Sequence, residues 1–332
     1  MRVFTQTVGH AAPLTCYLLD ASDEMSTAQV RPAVLVLPGG GYHFTSDREA
    51  EPVALAYLAE GFHACVLRYT ARDDSTWDEA FDDAQAALGW IREHATEMRI
   101  DPDRVAAVGF SAGGHLGASL GTVEQPPNAL ILGYPVTLAD FGPPIGKQIL
   151  DIPSAVGPDY PPVFLFSTGG DTLVPIRNSL ELLGALAEHR VPFESHLYLL
   201  GPHGISLARP HTANGDAALV DPAVAGWFAD SVRFLAEVFG VPATGGEPQT
   251  YATLLARREV GATAPVGGLL GDERAVAVLE RHLPGLVDEV RANPLAYGLP
   301  LAELARFQPR ITAPVLATLL PELEDLRGPS SS

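Results

Sequence analysis

Along the first 240 residues, short apolar runs alternate with turns and with stretches whose apolar residues recur at spacings of three and four. Ala33-Val34-Leu35-Val36-Leu37 and His63-Ala64-Cys65-Val66-Leu67-Arg68-Tyr69 have the continuity of strands buried on both faces. Val105–Val108, Ala129–Val136, Val163–Thr168 and Phe193–Leu200 are also strand-like. Helices are expected from Ser46 to about Glu60, Asp78 to His94, Ala112 to Leu120, Ile176 to His189 and Pro222 to Phe239. Phe81, Ala84, Leu88 and Ile91 share one face of the second of these. Ser46 with Glu49 three residues on has the spacing of a capping box, and Gly61 ends that helix. Two weaker β signals, Arg2–Val8 and Leu14–Leu19, suit an edge pair. This alternation predicts the α/β class: a mostly parallel sheet flanked by helices.

Two regions break the pattern. Residues 137–161 are rich in proline and glycine with no period, and read as a surface excursion at the mouth of a site, in the manner of a short lid. Near Val241 the composition shifts to that of a linker, Pro242-Ala243-Thr244-Gly245-Gly246-Glu247-Pro248, and from Tyr251 onward the periodic segments are helical. The expected organisation is an α/β domain over 1–241, a linker over 242–250 and a small helical domain over 251–327, with a frayed tail at Gly328–Ser332. Its candidate helices are Tyr251–Arg258, Asp272–His282, Leu286–Arg291, Leu301–Arg306 and Thr312–Asp325. Leu254, Leu255, Val276, Leu279, Leu304, Leu316, Leu319, Leu320 and Leu323 suit a small core or a docking face, which leaves a homodimer open.

Composition narrows the function classes. With 332 residues, 47% of them hydrophobic, the chain can bury a large core. Its 21 basic and 40 acidic residues give a net charge of −19, which argues against nucleic acid or an anionic membrane as partner. No stretch approaches the roughly twenty apolar residues of a membrane span, and Met1–Gln6 carries no apolar leader, so the expectation is a soluble, cytoplasmic protein. Cys16 and Cys65, each in a β-like run, are expected to be buried free thiols.

The chemistry centres on Val108-Gly109-Phe110-Ser111-Ala112-Gly113-Gly114, a Gly-x-Ser-x-Gly sequence between a strand and a helix. A serine hydroxyl needs a base to take its proton and an acid to orient that base. Ser111, Asp171 and His203 each follow the end of a different predicted strand, where reactive groups gather in a parallel sheet. Their chain order of serine, acid and histidine matches this architecture. His211 is the best rival base; Asp140 and Asp151 are weaker rival acids, and His115 and His196 suit packing roles. The run Pro38-Gly39-Gly40-Gly41-Tyr42 offers backbone N–H groups for an oxyanion hole, with Gly40, then Gly41, beside the N–H of Ala112. Tyr42 and His43 adjoin that turn and are placed as substrate contacts. No metal-ligand spacing, phosphate loop or dinucleotide fingerprint is present, so no metal or cofactor is expected.

Taken together, Pro38–Tyr42, Ser46–Pro52, Gly109–His115, Gly170-Asp171 and His203-Gly204 resemble the bacterial α/β-hydrolase esterases, and within them the acetyl esterase and acetylxylan-esterase-like branch. The resemblance covers about residues 1–240. It implies a triad of Ser111, Asp171 and His203 with Gly40 and Ala112 as oxyanion donors. It departs from the lipase-like branch, which has His-Gly-Gly-Gly where this chain has Pro38-Gly39-Gly40-Gly41, and no large cap is evident. The residues 278–285 faintly resemble helical tails of carbohydrate-active enzymes. The expectation is a serine carboxylesterase for short-chain, acetyl-type esters, its partner a small ester or acetylated oligosaccharide. An arylformamidase- or peptidase-like amide hydrolase and a non-catalytic binding protein are the alternatives.

Overall fold

A computed structural model describes residues 1–240 and 264–326. The expected linker 242–250, the candidate helix Tyr251–Arg258 with Leu254 and Leu255, and the tail Gly328–Ser332 lie outside the described residues. The chain divides into two compact units, Met1–Gly246 and Glu247–Ser332.

The first unit holds an eight-stranded sheet: β1 (Arg2–Val8), β2 (Ala12–Leu18), β3 (Arg31–Leu37), β4 (His63–Leu67), β5 (Ile100–Phe110), β6 (Ala129–Gly133), β7 (Val163–Thr168) and β8 (Phe193–Tyr198). In space they run β1-β2-β4-β3-β5-β6-β7-β8. The β1–β2 and β2–β4 pairs are antiparallel and the rest parallel. Alternation along the central strands sorts the core into two layers. Leu35, Leu37, Leu132 and Leu165 face α2 (Trp77–Glu93), α4 (Ala112–Leu120) and α6 (Arg177–Glu188). Val34, Val36, Val108, Ile131 and Phe166 face α1 (Glu51–Ala59) and α7 (Trp227–Phe239), where the fully buried Trp227 stacks on Phe166 at 4.5 Å. Between α2 and β5 lies the single turn α3 (Ala95–Met98), and α5 (Ile152–Ala155) lies within the excursion.

Several boundaries differ from the sequence pattern. Ser46 makes no side-chain cap, and the helix proper begins at Glu51 after a separate turn over Asp47–Glu49. The expected capping box is absent because Glu49 points into the interior instead. Such a box forms at α2, where Thr76 and Glu79 cap each other. Residues 101–104, expected as a turn, continue β5, with a register shift against β3 between Arg31 and Ala33. A separate 3₁₀ turn, Val224–Gly226, precedes the last helix, which starts at Trp227 rather than Pro222. Cys16 and Cys65 lie opposite each other across β2 and β4, both buried and unbonded, and burial pushes the Cys65 thiol up.

The described part of the second unit is helical: α8 (Val266–Leu269), α9 (Glu273–His282), α10 (Leu286–Ala292), α11 (Pro294–Tyr297), α12 (Leu301–Leu304) and α13 (Ala313–Asp325). Leu279, Leu304, Leu319 and Leu323 are buried in a core of its own, with Val276, Leu316 and Leu320 packed on its margin. α8 and α11 correspond to none of the candidate helices, and α12 ends at Leu304 rather than at Arg306. No helix among the described residues is long and apolar enough to cross a membrane.

Candidate active site

Ser111 sits between β5 and α4 at φ 52° and ψ −118°, a conformation that costs free energy and persists only when its surroundings enforce it. They do. A Cβ on Gly109 would lie 2.1 Å from the Gly113 carbonyl oxygen, and one on Gly113 would lie 2.1 Å from that of Leu37. The two glycines therefore let β5, α4 and β3 close to contact. The Ser111 N–H donates to the Gly133 carbonyl at 3.0 Å, and its own carbonyl accepts from the N–H of His115 at 3.0 Å and of Val136 at 3.2 Å.

The loops after β7 and β8 bring Asp171 and His203 to this serine. Asp171 Oδ1 accepts the N–H groups of Leu173 at 2.9 Å and Val174 at 2.8 Å, which aims Oδ2 at His203 Nδ1, 2.7 Å away. His203 Nε2 lies 2.8 Å from Ser111 Oγ. The Asp171 side chain is 1% exposed and that of His203 is 16% exposed, so the carboxylate is shielded while the imidazole reaches the cavity. With the Nδ1–H of His203 donated to Asp171 Oδ2, the Nε2 lone pair faces the serine hydroxyl.

The glycine turn closes on itself through His43 N–H to Gly40 O at 3.0 Å and Ser46 N–H to Gly39 O at 2.9 Å. Gly40 at φ 139° and Gly41 at φ 63° occupy conformations that disfavour a side chain, and a Cβ on Gly40 would meet the Phe44 carbonyl at 2.0 Å. The Gly39 N–H is taken by Glu49 Oε2 at 2.8 Å. Among the described residues, those of Gly40, Gly41 and Ala112 have no protein acceptor. All three residues line a cavity of about 480 Å³ together with Ser111 and His203. Val136, Phe141, Ile145, Leu173 and Val174 supply its apolar wall.

Of the two residues expected to contact substrate, Tyr42 lines the cavity and His43 does not. Tyr42 is fully buried, and its hydroxyl lies 2.7 Å from His115 Nδ1. His43 leaves the cavity lining: its ring is held between the Asp73 carboxylate at 2.7 Å and the Ile145 carbonyl at 3.1 Å. A positive φ at Tyr42 turns the chain there, which sends these successive side chains to different surroundings.

The rivals are accounted for elsewhere. Asp140 pairs with Arg177, Asp151 caps α5, and His211 is exposed on a 3₁₀ turn. His196 meets Glu194 at 2.7 Å, in a cluster with Asp230 into which Arg233 already places its guanidinium. The excursion 137–161 is tied down along its length. Lys147 donates to the carbonyls of Arg72 and Ser75 at 2.7 and 2.6 Å, and Thr137 bonds Asn178. It forms a fixed wall carrying Phe141 and Ile145, with no side-chain signal in its irregular sequence to single these two out.

His115 joins this wall to the glycine turn. It faces the Tyr42 hydroxyl at Nδ1 and the Leu150 carbonyl at Nε2, 2.8 Å away. Burial lowers its pKa to about 4, and burial with the nearby Arg31 does the same for His63. Both bind a proton more readily when unfolded, where histidine titrates near 6.5. Folding stability is therefore expected to fall as pH drops from about 6.5 to about 4, by up to about 3 kcal/mol for each histidine. Urea midpoints across that range check this; His115→Asn should flatten the slope.

A strand-turn-helix serine, an acid and a histidine after later strands, and a largely parallel sheet define an α/β hydrolase, and the chain belongs to that family. It is 38% identical to an α/β hydrolase enzyme of known structure from a Medee basin deep-sea metagenome library, with a TM-score of 0.67 over 71% of this chain and 97% of that one. The acetyl ester-xyloside bifunctional hydrolase of Caldicellulosiruptor lactoaceticus is 30% identical, with a TM-score of 0.59 over 69% of this chain and 89% of that one. Carboxylesterase NlhH of Mycobacterium tuberculosis is 34% identical over 129 residues, 37% of this chain and 40% of its own. A family model described as BD-FAE matches residues 19–130. The chain spans only 34% and 40% of the length of the first curated relatives it matches.

Proposed function

We propose that this protein is a serine carboxylesterase, and the hydrogen-bonded chain from Asp171 through His203 to Ser111 at the cavity edge carries that reading. His203 takes the Ser111 proton as Oγ attacks the ester carbonyl. The oxyanion forms against the N–H groups of Ala112 and of Gly40 or Gly41. His203⁺, stabilised by Asp171, then protonates the departing alcohol. Water repeats the sequence: His203 deprotonates it, and collapse of the second tetrahedral species returns the proton to Ser111 and frees the acid.

The substrate proposed is a short-chain ester of a sugar or oligosaccharide. The names of the acetyl ester-xyloside hydrolase and of an acetylxylan esterase 28% identical over 197 residues support the sugar, and the run Pro38–Gly41 in place of the lipase-like His-Gly-Gly-Gly supports a small acyl group. Each buried CH₂ contributes about 0.8 kcal/mol of binding. The two extra CH₂ groups of butyrate are worth up to about 1.6 kcal/mol, so p-nitrophenyl acetate and butyrate are expected to have kcat/KM values within about fifteenfold of each other, with octanoate lower because its chain outruns a short acyl site. Octanoate as the best substrate would overturn the short-chain reading. A fluorophosphonate that labels any residue other than Ser111 would overturn the mechanism.

A further inference from the structure

Glu49 is a charged residue with no obvious business in the interior, yet it is 3% exposed. Each of its oxygens meets one donor. Oε2 accepts the Gly39 N–H at 2.8 Å, and Oε1 accepts the Tyr134 hydroxyl at 2.5 Å. Neither donor can turn away. The peptide plane fixes the Gly39 N–H. The Tyr134 oxygen itself accepts the Ser206 N–H at 3.0 Å, which directs its proton at Glu49. The two oxygens of the Glu49 side chain accept both at once, which the NH₂ of a glutamine could not do.

These donors belong to the parts of the site that must keep register. Gly39 opens the turn bearing Gly40 and Gly41, and a Cβ on it would lie 3.0 Å from Ser111 Cβ, so the turn rests on the serine. Tyr134 leaves β6 with its ring edge-on to the His203 ring, centroids 5.1 Å apart. Ser206 follows His203 by three residues and is held from both sides, its Oγ donating to Arg48 O at 2.7 Å and its carbonyl accepting Trp227 Nε1–H at 2.9 Å. The Arg48 guanidinium donates in turn to Gly204 O at 2.9 Å.

We infer that Glu49 is a positioning residue that locks the oxyanion-donor turn to the loop of the base. The inference rests on the serine-esterase reading. Losing a single oxyanion donor costs about 10²- to 10³-fold in kcat in well-studied enzymes; misaiming the turn is expected to cost somewhat less.

The test compares wild type, Glu49→Gln, Tyr134→Phe, the double variant and Ser111→Ala as full-length chains. Hydrolysis of p-nitrophenyl acetate is measured with the affinity for an alkyl boronic acid. In that adduct the boron accepts the Ser111 Oγ electron pair, the proton passes to His203, and a boron-bound oxygen sits where the oxyanion forms. Glu49→Gln presents an NH₂ to one of two donors, so kcat is expected to fall about 10- to 100-fold with KM within threefold. Boronate affinity should fall in step with kcat/KM. Tyr134→Phe, which keeps the Gly39–Glu49 bond, is expected to lose less, and the double variant little more than Glu49→Gln alone. A merely structural role would lower the melting temperature and leave boronate affinity per folded molecule unchanged, which overturns the inference, as does a Glu49→Gln kcat within twofold of wild type. If Glu49→Gln does not fold, Tyr134→Phe decides: a boronate affinity and kcat equal to wild type overturn the link to the base loop. Hydrolysis unaffected by Ser111→Ala, or absent in wild type, overturns the esterase reading and this inference with it. An inert Ser111→Ala beside a fully active Glu49→Gln overturns this inference alone.

Discussion

Ser111→Ala is expected to lower kcat for short-chain ester hydrolysis by about 10⁴- to 10⁶-fold, the largest effect of any single change in this chain. Alanine keeps the Cβ and so bears the same backbone strain at φ 52°, and the N–H and carbonyl bonds to Gly133, His115 and Val136 are untouched. What disappears is the hydroxyl proposed as nucleophile, 2.8 Å from His203 Nε2. Stability should therefore stay near that of wild type while turnover vanishes. Steady-state rates beside a thermal melt check this; a residual rate within tenfold of wild type would mean that the chemistry lies elsewhere.

Asp171→Asn is expected to cost about 10⁴-fold in kcat, again with little change in stability. The direction follows from its surroundings. Two backbone N–H groups, from Leu173 and Val174, converge on Oδ1, so the amide oxygen of asparagine takes that place. Its NH₂ then faces His203 Nδ1, 2.7 Å away in the wild type, and donates where a proton was accepted. His203 must shift its proton to Nε2, which then points an N–H at Ser111 instead of a lone pair. Raising the pH should not restore the rate, since the tautomer rather than the charge is wrong. A loss below tenfold would sink the role given to Asp171.

The strands were legible because a run such as Ala33–Leu37 is buried on both sheet faces and needs apolar residues at every position. The elbow was legible because a serine at positive φ, with β5 and α4 in contact, demands glycine at 109 and 113. Glu49 was not. Ser46 and Glu49 carry capping-box spacing, and local spacing does not say which way a side chain turns. A signal was nonetheless present: Glu49 lies four residues before Val53 and eight before Tyr57, on the extension of the buried stripe of α1. His43 left the cavity lining, and the Tyr42 hydroxyl turned to His115, for a related reason. Adjacency to the glycines placed them near the cavity, whereas their partners, His115 and Asp73 with Ile145, come from distant segments.

By itself the sequence determined the α/β class, the helical character of the second unit, and the residues that meet as Ser111, Asp171 and His203. Each of these depends on periodicity or on residue types at strand ends, which are local properties. Only the tertiary structure decided how that meeting is held. Glu49 turned inward, the excursion 137–161 became a pinned wall, and His43 was drawn out of the cavity lining to Asp73 and the Ile145 carbonyl. Those outcomes rest on hydrogen bonds between residues 10 to 102 positions apart. A polar side chain settles on whichever distant partner satisfies it once the backbone has folded, and that choice leaves no period in the chain.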